Sequence, residues 1–201
     1  MMEPAHVRTV LRSIETARRQ KLYKDMESEC NSLLARLDDD ISEQAWRWRS
    51  KVSYERHMAA WQQGDVSESL TLAHQSVREA NRGKDPVGAL FATMNIAGHL
   101  FPAMGRPQEG IHMIEMLCVK AKELVTTTQS DEDHGRTMRV LMNCYVFRIQ
   151  YALKDDGVRH DVEKWLDELE KNPIFVLYKG QQWADDLVRD VAVYVTRQTS
   201  S

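Results

Sequence analysis

Residues 91–124 read FATMNIAGHLFPAMGRPQEGIHMIEMLCVKAKEL, and the order of small, bulky and turn-forming residues in this stretch decides the fold. Leu90, Met94, Ala97 and Phe101 recur every three or four positions, the period of a helix with one buried face. Gly98 lies inside that helix, Phe101 follows three residues later, and Gly105 marks a turn four beyond. Pro102 is expected to kink or loosen the last turn, because it has no N–H and its ring crowds an earlier carbonyl. Pro107 opens a second helix through Gly110, Ile111, Ile114, Leu117, Ala121 and Leu124. Small residues let two helices approach closely, and the bulkier apolar ones fill the groove beside them.

The same grammar runs upstream in residues 61–80, WQQGDVSESLTLAHQSVREA. Gly64 ends a helix that carries Ala45, Trp48, Val52, Met58 and Trp61. Asp65, with Glu68 three residues on, caps the next helix, whose inner face is expected along Leu70, Ala73, Val77 and Ala80. Ser69, Ala73 and Ser76 supply small positions for close approach. Asp85 and Pro86 then start the quoted stretch as cap and first helical residue. Asp40 with Glu43 reads as a capping box for the helix before Gly64.

Farther out, Pro4 begins a helix to about Gln20 with Val7, Val10, Leu11, Ile14 and Ala17 at helical spacing, and a second runs to about Leu37. Residues 126–135, TTTQSDEDHG, are the longest polar stretch and the expected mobile loop. A helix from about Asp133 to Lys154, a turn at Asp155–Gly157, and a helix bearing Val162, Trp165, Leu166 and Leu169 follow. Asn172-Pro173 ends that helix, and Ile174–Leu177 alone is ambiguous between strand and helix. A last helix over about 181–197 buries Ala184, Leu187, Val188, Val191 and Val195 on one face. The expectation is all-α, with nine helices, give or take one.

Composition restricts the function classes. The 201 residues are 42% hydrophobic and 28% charged, a globular balance, and a net charge of −3 argues against a nucleic-acid binder. No segment approaches the 18 or so continuous apolar residues of a membrane span, and the amphipathic N-terminus does not read as a signal peptide. Cys30, Cys118 and Cys144 are odd in number and widely spaced, which suits a reducing cytoplasm rather than a disulfide framework or zinc ribbon. No H-E-x-x-H, C-x-x-C, G-x-S-x-G or Gly-rich phosphate loop occurs, so neither catalysis nor a cofactor is expected. Glu109, His112 and Glu115 offer half of a di-iron carboxylate site and read instead as a solvated face. In Trp46-Arg47-Trp48-Arg49 the two indoles point about 200° apart on a helix, so they do not share one nucleic-acid surface.

Residues 91–124, and residues 61–80 with the helix before them, resemble the tetratricopeptide repeat (TPR) in the order and spacing of their small, aromatic and turn residues. The resemblance is clearest over residues 44–125. Arg56 and His57 depart from it, standing where an apolar and a small residue are usual. Turns near Lys21, Gly64, Gly105 and Gly157 are 43, 41 and 52 residues apart, longer than the roughly 34 of the common repeat. In this the chain is similar to the longer-helix variety found in bacterial transcription activators and peptide-responsive regulators.

The resemblance implies one domain over residues 1–201, a right-handed α-α superhelix of about four helical hairpins closed by a C-terminal capping helix. It also implies a concave face made by the first helix of each hairpin. The matching positions are Arg8 and Arg12, then Lys51, Tyr54 and Met58, then Asn95 and His99, with Arg148 and Tyr151 in the fourth hairpin. Such a face is polar with a cationic bias and suits an acidic or carboxylate-bearing protein segment. The two-carboxylate clamp of chaperone-tail-binding TPR proteins is not reproduced. The function expected is a non-catalytic protein- or peptide-binding scaffold or adaptor. The alternative is a regulatory sensor holding a small molecule or signalling peptide inside the superhelix; an enzyme is the third reading.

Overall fold

The computed structural model describes residues 3–128, 130–154 and 162–199. Every regular element among them is helical: α1 (Pro4–Arg19), α2 (Tyr23–Leu37), α3 (Glu43–Gln62), α4 (Val66–Arg82), α5 (Pro86–Asn95), a π-helical turn (Ile96–Leu100), α6 (Phe101–Ala103), α7 (Pro107–Thr127), α8 (Asp131–Ala152), α9 (Val162–Glu170), α10 (Pro173–Val176) and α11 (Gln182–Thr199). The protein is all-α. Taking Pro86–Ala103 as one run, the described residues hold nine helices of two turns or more and the single turn α10. The expected turn at Asp155–Gly157 lies outside the described residues. The chain divides into two compact units, Met1–Met104 and Gly105–Ser201, with the boundary inside residues 91–124.

In the first unit, α1 pairs with α2 and α3 with α4; α3 also packs on α1, α2 and α5, and α4 on α5. The first helices α1, α3 and α5 therefore lie in sequence beside one another, backed by α2 and α4. Val7, Ile14, Met26, Cys30, Leu33, Leu37, Trp48 and Val52 form the core under the first two hairpins. Each such side chain is worth about 1.5–3 kcal/mol when fully buried.

The helix ends follow the capping chemistry with one correction. Asp65 accepts from the Glu68 amide at 3.0 Å and Asp85 from the Gly88 amide at 2.8 Å, as expected. At α3 the cap is Ser42, which accepts from the Ala45 amide at 3.2 Å, while Asp40 accepts from the amide of Ser42. Asp40 thus acts one step earlier, holding the residue that does the capping. Gly64 takes φ +81°, and the Asp65 and Gly64 amides donate to the carbonyls of Ala60 and Trp61, a Schellman stop after α3. Gly83 is glycine for want of space: a Cβ there would stand 2.8 Å from the backbone nitrogen of Arg47 and 2.9 Å from the carbonyl of Glu43.

Pro102 loosens its helix as expected. The five residues before Phe101 wind as a π-helix, with the Phe101 amide donating to Ile96 rather than to Ala97. A wider turn ahead of a proline accommodates the ring and the missing donor. The buried stripe of α4 is rotated from the expected one. Ser69, Leu72, Ala73, Ser76, Glu79 and Ala80 are buried, whereas Leu70 and Val77 are only half-buried.

In the second unit α7 pairs with α8, α9 packs on α8, and α11 packs on α9. The expected loop over residues 126–135 is largely helix: α7 runs to Thr127, and Ser130 caps α8 by accepting from the Asp133 amide at 3.1 Å. The acidic run there does not break a helix because it fills the first turn of α8, where carboxylates favour the exposed amides. Ile174–Leu177 resolves as the single turn α10, capped by the Asn172 side chain. In α11, Ala184, Leu187 and Val191 are buried, while Asp185, Arg189, Asp190 and Arg197 are exposed. Val188 is exposed rather than buried with them.

Candidate binding face

The charged and aromatic residues of α3 divide between structural and surface work. In Trp46-Arg47-Trp48-Arg49, Trp48 is core. Arg49 is buried and donates to the carbonyls of Leu37, Asp38 and Asp40, where α2 ends. Arg47 does the same for α4, donating to Gly83 O at 2.7 Å and Lys84 O at 3.1 Å. Trp46 is left to stack against the guanidinium groups of Arg49 and Arg82, at 4.4 and 4.7 Å. Cations at helix C-termini satisfy orphan carbonyls and the negative end of the helix dipole. The run is a pair of helix caps around a core indole.

Arg56 and His57, the departures from the repeat pattern, also have partners. Arg56 pairs with Glu27 and donates to Asn31 on α2. His57 is buried, its Nδ1 2.8 Å from Ser69 Oγ and 3.0 Å from Ser69 O on α4. The same seam holds Ser50 and Ser76, each hydroxyl donating to the other's carbonyl at 2.9 Å, and Ser53, which donates to Glu79 at 2.6 Å. Small residues were expected here for close approach; they also form a buried hydrogen-bonded zipper.

Of the seven face residues expected in the first unit, the structure brings three into direct contact. The Asn95 amide nitrogen donates to Tyr54 OH at 3.1 Å and lies 3.4 Å from Met58 Sδ. His99 packs its ring on Trp61 at 5.6 Å, and Tyr54 meets Phe91 edge-on at 6.5 Å. Lys51 on α3 and Arg8 and Arg12 on α1 are exposed. Asn95 is buried and Tyr54, Met58 and His99 are half-buried, so the middle of the face is a packed patch, with the cations out in solvent. Burial pushes the Tyr54 hydroxyl above its ordinary range and the His99 imidazole below it. His57 is pushed down to about 4, chiefly by burial, and its Nε2 has no hydrogen-bond partner among the described residues. At neutral pH the patch is therefore uncharged: a phenol, an amide, a thioether and neutral imidazoles.

Sequence reading did not place Trp61 and Phe91 beside the face residues, and it missed the Arg18–Glu55 ion pair. The first two were within reach: Tyr54, Met58 and Trp61 are spaced i, i+4, i+7, and Phe91, Asn95 and His99 are spaced by fours, so each stripe needed only one more turn. Arg18, buried on α1, and Glu55, half-buried on α3, are 37 residues apart and pair at 2.5 Å, with burial raising the Glu55 carboxyl and Arg18 opposing it. Nothing local signals that pairing. A separate groove of about 320 Å³ lies between α1 and α2, lined by His6, Thr9, Ser13, Glu29, Leu33 and Arg36. None of the seven expected residues lines it.

In the second unit, Glu109, His112 and Glu115 are all exposed. Glu109 pairs with Arg106 and Glu115 with Arg148, which accounts for the two carboxylates as surface ion pairs. Arg148 also stacks over Trp165 at 4.1 Å, and Tyr151 is half-buried. No helix among the described residues is long and apolar enough to cross a membrane.

What these elements define is an all-α protein of paired helices whose first unit sets α1, α3 and α5 side by side. No family model matches the chain, and no match was found among curated proteins or solved structures.

Proposed function

We propose that the chain is a non-catalytic, TPR-like scaffold that holds a protein segment, preferably an acidic one, along the face of α1, α3 and α5, and that it works in the reducing cytoplasm. The observation that carries this reading is the arrangement of the face itself. Tyr54, Met58 and Asn95 form one neutral, partly apolar patch, and the exposed cations Arg8, Arg12 and Lys51 stand on the same first helices. Such a surface suits an extended segment with apolar and carboxylate side chains: the patch supplies apolar contact, and the cations supply charge-assisted hydrogen bonds and electrostatic steering.

The test is binding to a displayed library of short peptides, followed by affinity measurement on the selected sequences. Enrichment of acidic peptides is expected. The triple variant Arg8→Glu, Arg12→Glu, Lys51→Glu should weaken them at least tenfold, about 1.4 kcal/mol, and so should raised salt. The three positions are exposed, so stability should stay within about 0.5 kcal/mol of wild type. Affinity that ignores both the charge reversal and the salt would place binding elsewhere. Asn95→Ala is a poor probe, because the amide is an internal tie between α5 and α3.

A further inference from the structure

Cys118 on α7 and Cys144 on α8 are both buried, at 6% and 0% exposure, and the face described above uses neither. Two contacts fix the register of this antiparallel pair. Toward the N-terminal end of α7, Glu115 pairs with Arg148 at 3.2 Å; toward the C-terminal end, the Lys122 ammonium stands 5.6 Å from the Tyr145 ring. Cys118 falls between those contacts along α7, and Cys144 precedes Tyr145 by one residue on the facing helix α8, with the two thiols in hydrogen-bonding reach of each other.

We propose that Cys118 and Cys144 are a peroxide-sensitive dithiol that closes reversibly to a disulfide and staples α7 to α8. Cys118 is the attacking sulfur. It keeps a small exposed surface while Cys144 has none, and Arg148 and Lys122 place positive charge near it. The hydrogen bond from Cys144, helped by those cations, pulls the Cys118 thiol down, while the same contact and burial push Cys144 up. The Cys118 thiolate attacks one peroxide oxygen, the O–O bond breaks, and the leaving hydroxide takes up a proton to depart as water, leaving a sulfenic acid. The Cys144 sulfur then attacks the sulfenic sulfur, its proton goes to the departing hydroxyl, and a second water leaves as the S–S bond forms. Overall two thiols are oxidised by two electrons and one peroxide is reduced to two waters. A reducing compartment returns the pair to thiols, so the bridge is transient.

Cys30 is an internal control: it lies in the other unit, is fully buried, and burial pushes its thiol up to about 12. The experiment treats the folded, fully reduced chain with hydrogen peroxide, blocks remaining thiols with an alkylating reagent in denaturant, and maps the peptides without reduction. The expected product has lost two hydrogen atoms, carries label only on Cys30, contains a Cys118–Cys144 cross-linked peptide, and reverts with dithiothreitol. In Cys144→Ser, dimedone should trap a sulfenic acid on Cys118; in Cys118→Ser, Cys144 should stay reduced. Cys30→Ser should behave as wild type. The proposal is overturned if Cys30 is oxidised as fast as the other two, if Cys118 advances to sulfinic acid with Cys144 still free, if the bridge links two chains, or if none of the three thiols reacts. Because the wild-type map alone decides among these outcomes, misfolding of a serine variant would not shield the idea.

Discussion

The hairpins α3/α4 and α7/α8 join two antiparallel helices of similar length, yet they are held by different forces. Between α3 and α4 the buried seam is polar: Ser50 with Ser76, Ser53 with Glu79, His57 with Ser69. Between α7 and α8 the buried residues are chiefly apolar, among them Ile114, Leu117, Ala121, Val140, Leu141 and Ile149, with the two thiols, Thr137 and Tyr145 as exceptions. Directional bonds define one register, because a slip leaves several buried donors and acceptors unmade at about 1–3 kcal/mol each. Apolar contact contributes more energy per side chain but tolerates sliding and substitution of similar volume. The first hairpin is thus specified by pairing and the second by volume.

Three measurements would break or sharpen that contrast. The largest effect is expected in the apolar hairpin. Ile149 is fully buried, and Ile149→Ala should cost about 4 kcal/mol in urea denaturation through lost transfer energy and the cavity left behind. A loss under about 1 kcal/mol would mean that α7 and α8 collapse around the gap and that volume is not what specifies them.

Next comes acid. His57 in the polar seam has a folded pKa of about 4, below the ordinary 6.5, so the folded state resists a proton that the unfolded chain accepts. Its contribution is intact above pH 6.5, declines as pH falls from 6.5 toward 4, and levels off below that, a change on the order of 3 kcal/mol. His99 shifts in the same direction, also through burial, and adds to the slope. The imidazole carbon-bound protons of His57, followed by nuclear magnetic resonance, should titrate near 4. A midpoint near 6.5 would show that the seam is open to water.

The smallest effect tests pairing itself. Ser50→Ala and Ser76→Ala should each lose about 1–2 kcal/mol, and the double variant should lose clearly less than the sum, with a coupling of about 1 kcal/mol. Strict additivity would mean that the two hydroxyls act independently and that the zipper is only geometry.

Helices, their ends and their broad class were legible in the sequence because they depend on neighbours three or four residues away. Asp65, Asp85, Pro86 and Pro107 start helices and Gly64 stops one as their local chemistry requires, and Pro102 perturbs the helix it sits in. The Tyr54–Met58 and Asn95–His99 spacings were legible for the same reason. What only the tertiary structure decided is which partner each polar side chain meets. Arg49 reaches the end of α2, Arg47 the end of α4, His57 reaches Ser69, and Arg18 reaches Glu55. Gly83 is small because the start of α3 crowds it from 36 residues away. The turn of a helix is dictated by the chain's own next four residues, so local sequence determines it. A buried polar pair depends on two distant segments arriving together, and composition or periodicity does not encode that meeting; the same arginine or histidine is a solvated surface in one fold and a helix cap or a core hydrogen bond in another.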